Sequence, residues 1–187
     1  DFYQQQTMLD DEERYRVNVF DWEKEFPEVF SPSPPAGEGR GEGGFDAVIG
    51  NPPYGVPFTD AEIEYFERVF PRARKFPDSY CLFMLKAMKL LQSTGMTSYI
   101  VPNTFCDLEN CDEYREWLLT QYSLKEIWQT GWAFKAAVVD TLVFVSTNDK
   151  PSLADKITVH IDGNKYLRSN KEFLSNELHK IDYRNSK

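Results

Sequence analysis

The sequence predicts an α/β fold with a doubly wound, mostly parallel sheet. Short apolar runs that end in turn residues, such as Phe45–Gly50 (FDAVIG), alternate with apolar-faced stretches of helix length such as 79–92. That alternation is the pattern of strands joined by crossover helices, and an unbroken apolar run suits a strand buried on both faces. The 187 residues are 41% hydrophobic and 15% aromatic, enough apolar mass for one packed core and too much for a disordered chain.

Taken in order, residues 1–16 are polar and read as helix. Residues 17–30 carry Val17, Val19, Phe20, Trp22, Phe26, Val29 and Phe30 and read as strand and packed turn. Residues 31–44 (SPSPPAGEGRGEGG) hold three Pro and five Gly and read as a flexible loop. The strand Phe45–Gly50 follows, then a weak helix over 60–74. Asp78 is placed to cap a helix over 79–92, whose Leu82, Phe83, Leu85, Met88, Leu90 and Leu91 form a broad apolar face. Gly95 reads as its terminator, 96–101 as a second strand closed by Pro102, and 113–122 as a helix. Further strands are expected over 124–129, 138–145 and Lys156–Ile161. Residues 1–149 thus read as one unit, and 150–187 as a linker or the start of another region.

Composition excludes several classes of function. No apolar run approaches the ~20 residues that span a bilayer, and the first residues carry no secretory signal pattern. Cys81, Cys106 and Cys111 are odd in number and lack CxxC spacing, which argues against disulfide and zinc frameworks and for a reducing cytoplasm. His160 and His179 have no metal-ligand spacing, so no metal is expected. The net charge of −9 argues against a generic nucleic-acid coat. Charge is uneven, however: residues 1–67 hold 16 acids and four bases, whereas 68–91 hold six bases and one acid. Arg72, Arg74 and Lys75 read as a solvated helix end, with contact to DNA phosphate as the alternative.

One motif carries chemistry. Asn51-Pro52-Pro53-Tyr54 directly follows the FDAVIG strand, and ligands of open α/β sheets bind beyond the carboxyl ends of strands. Two prolines stiffen the backbone and remove two N–H donors, leaving carbonyl acceptors. The Asn side chain adds an amide oxygen. Two acceptors in a rigid frame beside an aromatic ring suit a planar group bearing –NH2. A Pro-rich turn with no chemistry is the alternative reading, and the strand directly ahead of the four residues weighs against it.

The ordered set of segments resembles the adenine-specific DNA methyltransferases of restriction–modification type, including the large fused restriction–methylation enzymes. The resemblance is carried by Phe20-x-Trp22 with Glu25-Phe26-Pro27-Glu28-Val29-Phe30, by Gly44 through Gly55 around NPPY, and by Asp78-x-Tyr80-x-Leu82-Phe83. It continues through Leu90-Leu91, Gly95, Tyr99-Ile100-Val101-Pro102-Asn103-Thr104-Phe105, and then Phe134, Ala137, Val138, Thr141 and the strand beginning at Leu142. It implies a Rossmann-like fold, this chain being the C-terminal half of a class I methyltransferase domain. It implies methyl transfer from S-adenosylmethionine to the exocyclic nitrogen of an adenine flipped out of double-stranded DNA. Asn51 and Pro52 would accept the amine's hydrogens within the turn completed by Pro53. Tyr54 would stack on the base, with Phe134 as a second aromatic contact. Around the cofactor the resemblance places Asp78 and Tyr80, which a helix cap and a core tyrosine explain equally well, and an acid near the preceding strand. That acid is Asp21, or Asn18 takes its place if Trp22 sets the alignment. Asp46 reads as a structural acid.

The family's upstream Gly-containing cofactor loop and its downstream target-recognition domain have no counterpart in the sequence. The chain is therefore expected to be one piece of a longer methyltransferase, inactive alone and partnered by the remainder. Two alternatives stand: a methyltransferase acting on an RNA base or a protein glutamine amide, and a non-catalytic remnant that binds DNA or a partner subunit.

Overall fold

Strand β1 (Phe45–Gly50) forms where the FDAVIG run requires it. The structure is a computed structural model and describes residues 20–30, 43–75, 78–131 and 139–184. Asn18, Phe134 and most of the Gly/Pro segment, residues 31–42, lie outside that set.

Ahead of β1, the apolar residues expected as strand and packed turn form two single-turn helices, α1 (Trp22–Glu25) and α2 (Pro27–Phe30). Asp21 caps α1 by accepting from the Lys24 N–H at 3.2 Å. Helices of four residues do not stand on propensity; aromatic packing holds these two. The Phe45 ring meets Trp22, Phe26 and Phe30 edge-on, at centroid distances of 6.0, 5.8 and 5.5 Å. Periodicity misled here because the apolar residues are spaced to converge on one ring rather than to line a strand face.

Helix α3 (Asp60–Val69) starts on a reciprocal cap: Glu62 Oε2 accepts from the Thr59 N–H (2.8 Å), and Thr59 Oγ1 accepts from the Glu62 N–H (3.4 Å). Helix α4 (Ser79–Leu90) is capped by Asp78 and passes without a loop into strand β2 (Leu91–Pro102). Gly95 is thus not a helix terminator. It lies inside β2, where a Cβ would sit 2.8 Å from the Phe45 carbonyl oxygen, beside the register shift between Phe45 and Ala47. Then follow α5 (Asp112–Gln121), β3 (Ser123–Gly131), β4 (Thr141–Thr147), β5 (Lys156–Ile161), β6 (Asn164–Ser169) and α6 (Asn170–Ser175).

The sheet order is β1-β2-β4-β3-β5-β6. β1 with β2 and β3 with β5 are parallel; the other three pairings are antiparallel. Four strands, β1, β2, β3 and β5, therefore run in one direction, and β4 and β6 run against them. β5 and β6 form a hairpin through Asp162 (φ 49°) and Gly163 (φ 78°), the positive-φ pair that a two-residue turn requires. Residues 156–169 thus add two strands to the same sheet.

Residues paired across a ladder share a face. Tyr99, Phe144, Ile127 and Val159 form one buried row, packed with Tyr80, Leu85, Met88, Leu118 and Phe173 in a single core. The adjacent row points the other way. Ile49 on that face is 79% exposed, and Met96 and Trp128 are about half exposed. Among the described residues, that second face is open.

Beyond β2, the buried Arg115 of α5 donates to the carbonyls of Phe105 (2.9 Å), Leu108 (2.7 Å) and Leu178 (2.9 Å). These bonds fix the segment after α6 although Leu178 and His179 both hold positive φ, a conformation unfavourable for side-chain-bearing residues. Arg115→Ala removes these charge-assisted bonds, including the buried one to Phe105, while the Leu108 carbonyl keeps the Cys111 N–H at 3.1 Å. It should lower unfolding stability by about 3 kcal/mol or more, measured by urea denaturation; a loss under ~1 kcal/mol would show that these bonds contribute little.

Candidate functional site

Asn51-Pro52-Pro53-Tyr54 sits at the carboxyl end of β1, beside the C-terminal half of β2. The strand's last residue must be bare: a Cβ on Gly50 would lie 2.7 Å from the Tyr99 ring that packs beneath it. Asn51 and Pro53 are exposed, Pro52 is buried and Tyr54 is half-buried.

The turn is held from three directions. From β2, the Ile100 carbonyl accepts the Tyr54 hydroxyl at 3.0 Å. From the first residue of α4, Ser79 Oγ donates to the Pro53 carbonyl at 2.7 Å. From the cap of the same helix, Asp78 Oδ1 accepts from the Gly55 N–H (3.1 Å) as well as from the Tyr80 N–H (3.4 Å). The start of α4 therefore grips the chain on both sides of Tyr54. Gly55 holds φ 62°, which glycine adopts without strain. Tyr80, 2% exposed, backs Tyr54 edge-to-face at 6.0 Å. Burial pushes both phenols up, so each keeps its proton at neutral pH.

The acceptors of the turn are not equally engaged. The Pro53 carbonyl is taken by Ser79. Among the described residues, the Pro52 carbonyl receives no hydrogen bond. Asn51 Oδ1 lies 3.3 Å from the Tyr54 hydroxyl on an exposed side chain.

Next to the turn lies a groove of about 550 Å³. Its wall includes Phe20, Trp22, Pro53, Ser79, Phe83 and Lys86. Asp21 precedes the lining Trp22 in the chain, and Asp78 precedes the lining Ser79. Burial lowers the Lys86 ammonium, opposed by the nearby carboxylates of Glu23 and Asp21. The groove is thus mostly apolar with carboxylates next to its lining residues, and it shares Pro53 with the turn.

The structure brings Asn51, Pro52, Pro53, Tyr54, Asp78 and Tyr80 into one cluster and sets Asp21 near the groove. Tyr80 stands in the core behind Tyr54 rather than in the groove wall. Ser79, the Ile100 carbonyl and the pairing of Gly50 with Tyr99 escaped sequence reading. A serine next to a helix cap carries no signal of its own, and a carbonyl carries none at all.

Other candidates resolve simply. Lys75 pairs with Asp112 (3.3 Å) and Glu113 (2.9 Å), and Arg74 approaches Glu67 at 3.7 Å, as a solvated helix end would. Cys81, Cys106 and Cys111 are buried, and burial raises the Cys106 thiol. His160 lies under Trp128, with ring centroids 3.6 Å apart, and 3.1 Å from Glu126. Among the described residues no group of three His, Cys, Asp or Glu could hold a metal ion, and no helix is long and apolar enough to cross a membrane.

Comparison with known proteins agrees with the fold. The modification subunit assigned to a type I restriction enzyme of Vibrio vulnificus superposes with a TM-score of 0.55 over 68% of this chain and 34% of its own, at 15% identity. A protein of Listeria monocytogenes described as a class I S-adenosylmethionine-dependent methyltransferase does so at 0.50, over 63% and 37%, at 16% identity. The chain shares its α/β architecture with these structures, the Rossmann-like class expected. Residues 1–135 match the Eco57I restriction-modification methylase family, and the chain belongs to that family. It is 27% identical over 165 residues to a Methanocaldococcus jannaschii protein named as a type II restriction enzyme and methyltransferase. It is 28% identical over 92 residues to an Escherichia coli type II restriction enzyme and methyltransferase. It spans 13% and 9% of those relatives' lengths, matching over 87% and 46% of its own.

If the Asp78 carboxylate joins helix and turn as described, Asp78→Ala should lower stability by about 1 kcal/mol and speed hydrogen exchange at the Gly55 amide. Asp78→Asn, which keeps an oxygen acceptor, should do neither. Equal exchange rates in the two variants would refute the bridge.

Proposed function

We propose that this chain is the catalytic part of an enzyme that methylates the exocyclic amino group of adenine in DNA, within a restriction–modification system. The reading is carried by one observation: a rigid turn at the carboxyl end of β1 offers an exposed Asn51 amide and an unengaged Pro52 carbonyl beside a fixed phenol ring. Family membership and the printed names of the relatives support it.

S-adenosylmethionine fits the groove by its chemistry: apolar walls and aromatic rings for a flat adenine, with carboxylates at hand for hydroxyl and amino groups. Asp21 and Asp78 would hold it, and Tyr80 supports that side through Tyr54. The cofactor supplies an electrophilic methyl group on a sulfonium. The chain's residues handle the other reactant. An adenine inside a duplex hides its amino nitrogen, so the base must leave the stack. The Tyr54 ring receives it, and such stacking contributes about 1–3 kcal/mol per base. Phe134 is proposed as a second aromatic contact. Asn51 Oδ1 and the Pro52 carbonyl accept the two amino hydrogens. That draws the nitrogen towards tetrahedral geometry and restores its lone pair as a nucleophile. Because the prolines and the start of α4 fix these acceptors in advance, they need no reorganisation as charge develops.

The open face of the sheet, with Ile49 and Trp128 on it, is where the remainder of a longer enzyme would pack. We propose that the cofactor site is complete only with that remainder, so the isolated chain has negligible activity. Double-stranded DNA is the proposed partner.

In the full-length enzyme, Asn51→Ala should lower kcat for methylation of unmodified plasmid DNA by about 10²–10³, the usual loss for one preorganised polar group, with melting temperature unchanged. Undiminished methylation would overturn the assignment.

A further inference from the structure

A second role for Tyr54 follows from counting its protons, and it rests on the reading of Asn51 as an acceptor for the substrate amine. The Tyr54 hydroxyl has two oxygen neighbours, the Ile100 carbonyl at 3.0 Å and Asn51 Oδ1 at 3.3 Å. A phenol has one proton to donate. The Ile100 carbonyl can only accept and is the nearer, so it receives that proton. The contact with Asn51 would then set lone pair against lone pair. The two ends of an asparagine amide are nearly the same shape, and a half-turn about its terminal bond exchanges oxygen for nitrogen at the same site. With that half-turn, Asn51 Nδ2–H donates to Tyr54 Oη, and all three groups are satisfied.

We infer that the Tyr54 hydroxyl is a positioning group that fixes the orientation of the Asn51 amide, through a chain running from Asn51 Nδ2–H to Tyr54 Oη–H to the Ile100 carbonyl. The consequence is chemical. Once its nitrogen is tied to Tyr54, Asn51 turns its oxygen to the exposed side of the turn. The amine then meets an acceptor. In the other orientation it would meet the amide's –NH2, donor against donor. Hydrogen bonds in a chain also polarise one another, which favours the fixed orientation further. The ring of Tyr54 serves the base and its hydroxyl serves Asn51, so the two roles can be separated by removing one atom.

Tyr54→Phe makes that separation. In the full-length enzyme acting on unmodified plasmid DNA, it should lower kcat about five- to tenfold, the effect of one neutral hydrogen bond. KM for DNA should not change, because the ring remains, and the melting temperature should fall by no more than the loss of the one bond to the Ile100 carbonyl requires. A kcat within twofold of the parent would overturn the inference. So would a raised KM at unchanged kcat, which would assign the hydroxyl to base placement, or an equal further loss of kcat when Tyr54→Phe is added to Asn51→Ala, which would show the hydroxyl acting independently of Asn51. Asn51→Ala measured alongside separates the two levels. Full activity there removes the underlying reading, whereas loss there with an unaffected Tyr54→Phe removes only this one.

Discussion

The turn after β1 is anchored by groups from two other elements, and this anchoring ties the chemistry to the fold. Ser79 and Asp78 hold it through the start of α4, and the Ile100 carbonyl holds it through β2. Each anchor uses an atom fixed by secondary structure: a helix cap, a helix's first hydroxyl and a strand carbonyl. A proline pair alone would make the turn stiff without aiming it. Aim comes from the register of β1 against β2, which sets Gly50 over the Tyr99 ring and leaves no room for a side chain there. Preorganised acceptors are effective when their position is settled before the substrate arrives.

The same sheet is asymmetric. One face carries the core, in which α4, α5 and α6 bury Tyr80, Met84, Leu118 and Phe173 in one cluster with Tyr99, Ile127 and Phe144. The other face leaves Ile49, Met96 and Trp128 to solvent among the described residues. The groove beside Pro53 lies at the edge strand β1, where, on the proposed function, the remainder of the enzyme would join both sheet and groove. Fold completion and site completion would then be one event.

Much of this was legible in the sequence, for identifiable reasons. The apolar face of α4 and its Asp78 cap are local patterns whose physics is complete within a dozen residues, and they form as expected. The FDAVIG run forms a parallel strand as expected, but at the sheet edge with none of its residues buried rather than covered on both faces. NPPY was legible because two consecutive prolines have few uses. What failed was non-local. Residues 17–30 read as strand and packed turn rather than as two short helices over 22–30 because Trp22, Phe26 and Phe30 are spaced to converge on Phe45, a residue the local pattern does not see. Gly95 read as a helix end because its real constraint is a carbonyl on another strand. The β5–β6 hairpin was signalled by Asp162-Gly163, a turn dipeptide that went unread. The antiparallel placement of β4 between β2 and β3 has no local signature, since strand direction is set by packing.

The central claim is that the turn presents its acceptors to an aromatic amine in DNA. The most direct measurement is mass spectrometry of nucleosides from unmodified plasmid DNA incubated with the full-length enzyme and S-adenosylmethionine. The account predicts N6-methyladenine. A methyl group on a ring carbon, as in 5-methylcytosine, or no transfer to DNA at all, would contradict it.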